Sequence, residues 1–249
     1  MALRDFKVLT FDVVGTLIDF EGGMLAYLRQ AAPGHAVTDD AFLGAYRAAR
    51  KQQGTGWYPD DLERCWHVVA QALDLPDSNA LACGLRDSVA QWPAFPDSVA
   101  AMQRLRKHFK LVTMTNAQSW ALAHFDRTLG SPFDLLLSCD EALCEKPDPR
   151  YFAYARGRYE GAWGYRQADN LHVAQSQYHD IGIARQLGIA SMPAGPARPG
   201  HHRPAGGRFA ARSRGAAPRP ACPPRAGVRR AAHGRHRRAV AAAAGAGGA

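Results

Sequence analysis

The sequence predicts an α/β fold: a doubly wound parallel sheet with an α-helical segment inserted after the first strand. Three observations predict it. A short β-rich run at 6–11 ends at an aspartate and a glycine. Residues 21–94 then have helical character, broken only by turn signals. From Asp97 onward, helical and β-rich stretches alternate, which is the pattern of a parallel sheet flanked by helices. With 249 residues, 47% of them apolar, the chain can bury a sizeable core.

Each element has its own signal. Val8, Leu9 and Phe11 make the first run a buried strand, and Gly15 marks the loop behind it. Within the insertion, Met24, Leu25, Tyr27 and Leu28 form one apolar face. Phe42, Leu43, Tyr46 and Ala49 form a second, and Leu62, Trp66, Val69, Ala70 and Leu73 a third, all at helical spacing. Pro33-Gly34, Gly54-Thr55-Gly56 and Pro76-Asp77-Ser78 separate them, and Pro93 and Pro96 close the stretch, because a helix interior rejects proline. A helix over 98–107 then leads to a strand at 110–114, a helix over 119–129 to a strand at 133–137, and a helix beginning at 147–149 to a strand at 171–174. Prolines suit that helix start. A helix over 180–187 and a strand beginning at 188–190 follow, the latter expected to be cut off by Pro193. The reading is a core of residues 1–20 and 95–192, a helical cap of 21–94, and a tail of 193–249.

The formal charge of +9 is unevenly placed. From residue 193 on there are 12 Arg, no Lys and no acid, so residues 1–192 hold 19 basic against 22 acidic groups. In the tail, 48 of 57 residues are Ala, Gly, Pro or Arg, a low-complexity composition expected to be disordered. An RNA-binding arginine tail has this composition. So does an out-of-frame read of a GC-rich gene, because these four residues have G/C-only codons. No apolar run reaches the roughly 18–20 residues that span a bilayer, and the start lacks a secretory cleavage pattern. The five cysteines form no CxxC pair and no metal-ligand spacing. Reduced thiols, a cytoplasmic location and no membrane or nucleic-acid partner for the body are therefore expected.

In open sheets of this kind, ligands sit beyond the carboxyl ends of the strands. Asp12, Thr115-Asn116, Lys146 and Asp180 stand there in order. Each has a plainer explanation: a turn-capping carboxylate for Asp12 or Asp180, a helix N-cap for Thr115-Asn116, a surface lysine for Lys146. Their succession is harder to obtain by chance. The chain resembles the haloacid dehalogenase superfamily over residues 6 to about 191. The likeness is carried by Phe11-Asp12-Val13-Val14-Gly15-Thr16-Leu17, by Thr113-Met114-Thr115-Asn116, by Lys146-Pro147-Asp148-Pro149-Arg150 and by Val173-Ala174-Gln175-Ser176-Gln177-Tyr178-His179-Asp180.

That resemblance implies a Rossmann-like core with a helical cap and an aspartate nucleophile, Asp12. Most members are Mg²⁺-dependent phosphatases with a second Asp two residues on. Here that position is Val14, which can neither protonate a leaving group nor activate water. A further metal-binding Asp looks like Gln175, and a neutral amide is a poorer ligand for a hard dication. An apolar residue at position 14 is instead similar to the type II L-2-haloacid dehalogenases, which use no metal or other cofactor. By that resemblance Asp12 attacks C2 of a 2-halocarboxylic acid, forming an ester that water then hydrolyses to a 2-hydroxy acid. Lys146 keeps Asp12 ionised, and Asp180 positions Lys146 or assists the water. Thr16, Thr115 and Asn116 donate hydrogen bonds to Asp12 or to the substrate carboxylate. Val13 and Val14 give apolar walls, Ser176 contacts Lys146 or water, and Arg47 is the cap arginine nearest the halide, with Arg50 one turn on.

The expected partner is thus a small-molecule carboxylate, with a homodimer as the candidate assembly. The alternatives are another hydrolase of the superfamily, such as a phosphatase, and a catalytically silent binding protein.

Overall fold

The computed structural model describes residues 2–52 and 56–194. The tail of 193–249, its expected disorder and its out-of-frame origin lie outside the described residues except at 193 and 194.

Four parallel strands, β1 (Val8–Phe11), β2 (Lys110–Thr113), β3 (Asn170–Ala174) and β4 (Ala190–Pro193), form one sheet in the order β2-β1-β3-β4. This is the α/β architecture that the sequence predicts. All residues of β1 and β3 are buried, as strands covered on both faces must be. The chain leaves β1 towards β2 on one side and returns to β3 on the other, so the order reverses at β1. Phe11 is in register with Thr113 and with Val173. The residues that follow these strands therefore emerge together at one edge.

Between β1 and β2 stand α1 (Phe20–Ala31), α2 (Asp39–Lys51), α3 (Leu62–Leu73) and α4 (Asn79–Ser88). The side chains of Asp19, Thr38 and Ser78 accept the N–H groups of Gly22, Ala41 and Leu81, satisfying donors that a helix start leaves orphaned. Their apolar faces close over Trp66, which is fully buried. The packing is close: a Cβ on Gly84 would lie 2.2 Å from the Tyr27 hydroxyl, and one on Gly23 would lie 2.3 Å from the Trp92 ring. The inserted block joins the core through paired crossings. Asp19 N–H donates to Pro93 O at 2.8 Å, and Phe95 N–H donates to Leu17 O at 3.0 Å. A third contact is distant in sequence, where Gln118 N–H donates to Tyr58 O at 2.8 Å.

In the core, α5 (Ser98–Leu105), α6 (Ser119–Thr128), the short α7 (Cys139–Ala142), α8 (Pro149–Trp163) and α9 (Gly182–Gln186) connect and flank the strands. Two local expectations are corrected. Residues 133–137 form no strand and make only an isolated bridge, Val112 to Leu135. There the hydroxyl of Thr113 takes the N–H of Leu137 at 2.7 Å, so a side chain replaces the next rung of the ladder. The helix expected over 180–187 is a π-helical turn, Gln177–Ile181, followed by α9. The last strand, β4, ends at Pro193, which lies opposite Ala174. An edge strand tolerates proline because one side of it needs no N–H.

Cys65, Cys139 and Cys144 are buried free thiols. Burial pushes the Cys65 thiol up to about 12, with Asp61 beside it adding to the shift, so it does not act as a thiolate nucleophile.

Candidate active site

Asp12 leaves the end of β1 with its N–H on Val173 O at 3.0 Å, and only 8% of it is exposed. The turn behind it is built on Val13, whose carbonyl accepts the N–H groups of Thr16, Leu17 and Ile18. Gly15 supplies the left-handed φ of 83° that this turn requires. That places Thr16 Oγ1 2.6 Å from Asp12 Oδ2, to which it donates. The same hydroxyl accepts the N–H of Gln175 at 3.0 Å, so the loops after β1 and β3 are tied together through Thr16.

Lys146, 2% exposed, spans the other side. Its Nζ donates to Asp12 Oδ1 at 2.9 Å and to Asp180 Oδ1 at 2.5 Å. Burial alone would lower the Lys146 pKa, but the charges and hydrogen bonds of Asp12 and Asp180 outweigh it and raise it. For Asp180 burial acts upward, and Lys146 with His172 outweighs it and holds the carboxyl below its ordinary value. Lys146 and Asp180 therefore favour their charged forms.

Asn116 is used differently from the expectation. Its Nδ2 donates to Lys146 O at 2.9 Å and its Oδ1 accepts Lys146 N–H at 2.7 Å. The amide oxygen and one Nδ2 proton hold the backbone of Lys146, and the hydrogen bonds among the described residues include none from Asn116 to Asp12. Thr115 is 1% exposed, and its Oγ1 accepts Ala117 N–H at 3.2 Å in the turn ahead of α6. Its backbone N–H donates to the Tyr151 hydroxyl at 3.1 Å. Ser176 likewise does not meet Lys146: its Oγ accepts His179 N–H at 3.0 Å and caps the π-helical turn. That turn carries Asp180 back beneath the strand ends.

Val13 is fully buried and Val14 half-buried. Arg47 is tied to Glu21 at 3.4 Å with its side chain 38% exposed. Arg50 is set more firmly, paired with Asp61 and placed 5.6 Å over the Tyr58 ring. Asp61 is held in turn by Arg64 through two contacts at 2.7 and 2.8 Å, the fork geometry that suits guanidinium and carboxylate. Tyr58 pairs with Ala117, directly after Asn116, so Arg50 rather than Arg47 stands over the core-facing contact of the helical block. Sequence reasoning missed Tyr151 and His172. Both carried a signal, His172 as a polar residue inside an otherwise apolar strand, Leu171-His172-Val173-Ala174.

A family model of the haloacid dehalogenase-like hydrolases matches residues 6–168. The chain belongs to that family. Solved structures agree on the fold of this haloacid dehalogenase-like hydrolase. L-2-haloacid dehalogenase from Xanthobacter autotrophicus with chloropropionic acid covalently bound is 21% identical, with a TM-score of 0.56 over 75% of this chain and 76% of that one. A defluorinating L-2-haloacid dehalogenase is 18% identical, with a TM-score of 0.64 over 75% and 80%. The hydrolase YfnB from Bacillus subtilis, bound to magnesium, is 19% identical, with a TM-score of 0.62 over 75% and 87%. No curated protein matches the chain. Among the described residues, no helix is long and apolar enough to cross a membrane.

Proposed function

We propose that this hydrolase is a metal-independent 2-haloacid dehalogenase, with Asp12 as nucleophile towards a small 2-halocarboxylic acid. One observation carries the reading: a nearly buried carboxylate paired with Lys146 at 2.9 Å, with valines at 13 and 14 and no acid where a leaving group would need a proton. Low hydration leaves an anion reactive, and among the described residues each Asp12 oxygen has a single donor, Thr16 or Lys146, so lone pairs remain for attack. A halide needs no proton to depart.

In this reading Asp12 bonds to C2, and the halide leaves with the bonding pair and inversion at carbon. Water then adds to the Asp12 carbonyl carbon and releases the 2-hydroxy acid. Lys146 holds Asp12 in line and steadies the charge that returns to it. Asn116 keeps Lys146 in place through its backbone, and Asp180 receives the water.

The donor set does not suit Mg²⁺. Two carboxylates face each other across the site, but the Lys146 ammonium already bridges their Oδ1 atoms, and the next position on β3's loop offers the neutral Gln175. Mg²⁺ prefers hard, charged oxygen ligands in near-octahedral array. The magnesium-bound YfnB, which shares the fold, makes the phosphatase the reading to test against. Halide release from 2-chloropropionate, unchanged by EDTA, is the expected result. Phosphate release that requires Mg²⁺ overturns the proposal. Asp12→Asn is expected to lower kcat by about 10³-fold or more, the scale of losing a nucleophile.

A further inference from the structure

Strands β1 and β3 bury polar side chains where apolar ones would pack without penalty. Thr10, Asn170 and His172 are 0%, 3% and 1% exposed. Thr10 and His172 are register partners. Thr10 Oγ1 lies 3.2 Å from Asn170 Oδ1 and 3.0 Å from His172 Nδ1. The other ring nitrogen, Nε2, lies 3.0 Å from Asp180 Oδ1. A carboxylate only accepts, so Nε2 bears the proton, an assignment that follows from the hydrogen-bond network. Phe152 meets the imidazole edge-on at 5.5 Å. Burying an imidazole, an amide and a hydroxyl is unfavourable unless each is partnered, and the line of partners ends on Asp180.

Asp180 is partnered unequally. Its Oδ1 accepts from Lys146 Nζ at 2.5 Å and from His172 Nε2 at 3.0 Å. Its Oδ2 is buried and has no partner among the described residues. With Lys146 alone, a point charge on a flexible stem, either oxygen could take the bond. A second donor, mounted on a strand and braced by Thr10, fixes which oxygen is engaged and which is free.

We propose that His172 is a positioning residue for the hydrolytic half of the reaction: it holds Asp180 so that Oδ2 stays free for the water that attacks the Asp12 ester. This rests on the proposed covalent mechanism. The water oxygen bonds to Cγ of Asp12, and one water proton passes to Asp180 Oδ2. The Cγ–O bond to the substrate breaks, and the departing oxygen takes that proton to become the 2-hydroxyl. The second water proton leaves to solvent as Asp12 returns to a carboxylate. His172 touches nothing in the first half, where C2–O forms and the carbon–halide bond breaks.

The experiment uses the full chain with 2-chloropropionate, reading the pre-steady-state halide burst, steady-state kcat, and ester on Asp12 by intact-protein mass spectrometry. His172→Phe is expected to keep the burst rate within about twofold, to lower kcat by about tenfold, the scale of one hydrogen bond to a charged group, and to accumulate the ester. His172→Gln, which restores a donor, is expected to recover most of kcat and clear the ester. Burst and kcat falling together, or kcat unchanged, overturns the proposal. If His172→Phe does not fold, the near-isosteric Thr10→Val reads the same brace: ester accumulation supports it, and an unchanged partition between burst and kcat overturns it. A wild-type protein that releases no halide overturns this proposal along with the proposed function. Halide release by wild type without ester build-up in the variants overturns the role of His172 alone.

Discussion

Buried to 2% exposure, Lys146 keeps its proton because two carboxylates lie against its Nζ. The linked shifts have definite signs. Lys146 is raised on folding, so its contribution to stability is complete below its unfolded pKa, about 10.4, and is lost as pH rises through the higher folded value. Asp180 is lowered, so its contribution is complete above about 3.9 and is lost as pH falls through the lower folded value. This pair therefore predicts a Tm that is flat between about pH 5 and 9 and falls on the acid side below about pH 4. Lys146→Met removes the shared cation and leaves two buried carboxylates. Its Tm is expected to lie below that of wild type at pH 7 and to recover as pH drops towards 5, since a carboxylate without its partner favours the protonated form. A pH series of thermal melts reads both; a Lys146→Met variant that melts like wild type at pH 7 contradicts the account.

Among the elements, the strand ends were the most legible part of the sequence. Asp12, Lys146 and Asp180 each follow an apolar run or open a helix, and a parallel sheet collects such positions at one edge. What Asn116 does was not legible. Its amide clamps both backbone groups of a residue 30 positions away, and no local pattern encodes a partner that distant. The strand expected at 133–137 failed for a related reason: its apolar run is real, but the Thr113 hydroxyl intercepts the ladder. His172 broke the apolar pattern of β3, and such a break marks a polar partner without saying which. In the helical block, packing between elements sets the tolerance. Gly84→Ala would drive a methyl into the Tyr27 hydroxyl, which itself donates to Leu81 O at 2.7 Å. Overpacking of this kind costs about 1–3 kcal/mol. A denaturation midpoint unchanged in Gly84→Ala would show that α1 and α4 can move apart.

For the molecule as a whole, the charge of +9 divides into an acidic body and an arginine-rich tail. All residues that meet at the candidate site, from Asp12 to Asp180, precede residue 193. A chain cut after Ala194 is expected to release halide within about twofold of the full chain, since it keeps every residue named at the candidate site. Its isoelectric point is expected to move from the full chain's value near 9.6 to the acidic side. Isoelectric focusing and a halide assay on the two chains check both; a large loss of turnover would place the tail in the enzyme's working structure.

The bridge made by Lys146 also has an electrical consequence. In the proposed mechanism Asp12 attacks as a carboxylate, so that Asp12, Lys146 and Asp180 hold two negative charges and one positive one in a region nearly shut off from water. A surplus charge in such surroundings is unfavourable. Esterification of Asp12 removes it and leaves an ammonium facing a single carboxylate. In that mechanism the covalent intermediate is the electroneutral form of the trio, and hydrolysis is the step that brings the surplus charge back.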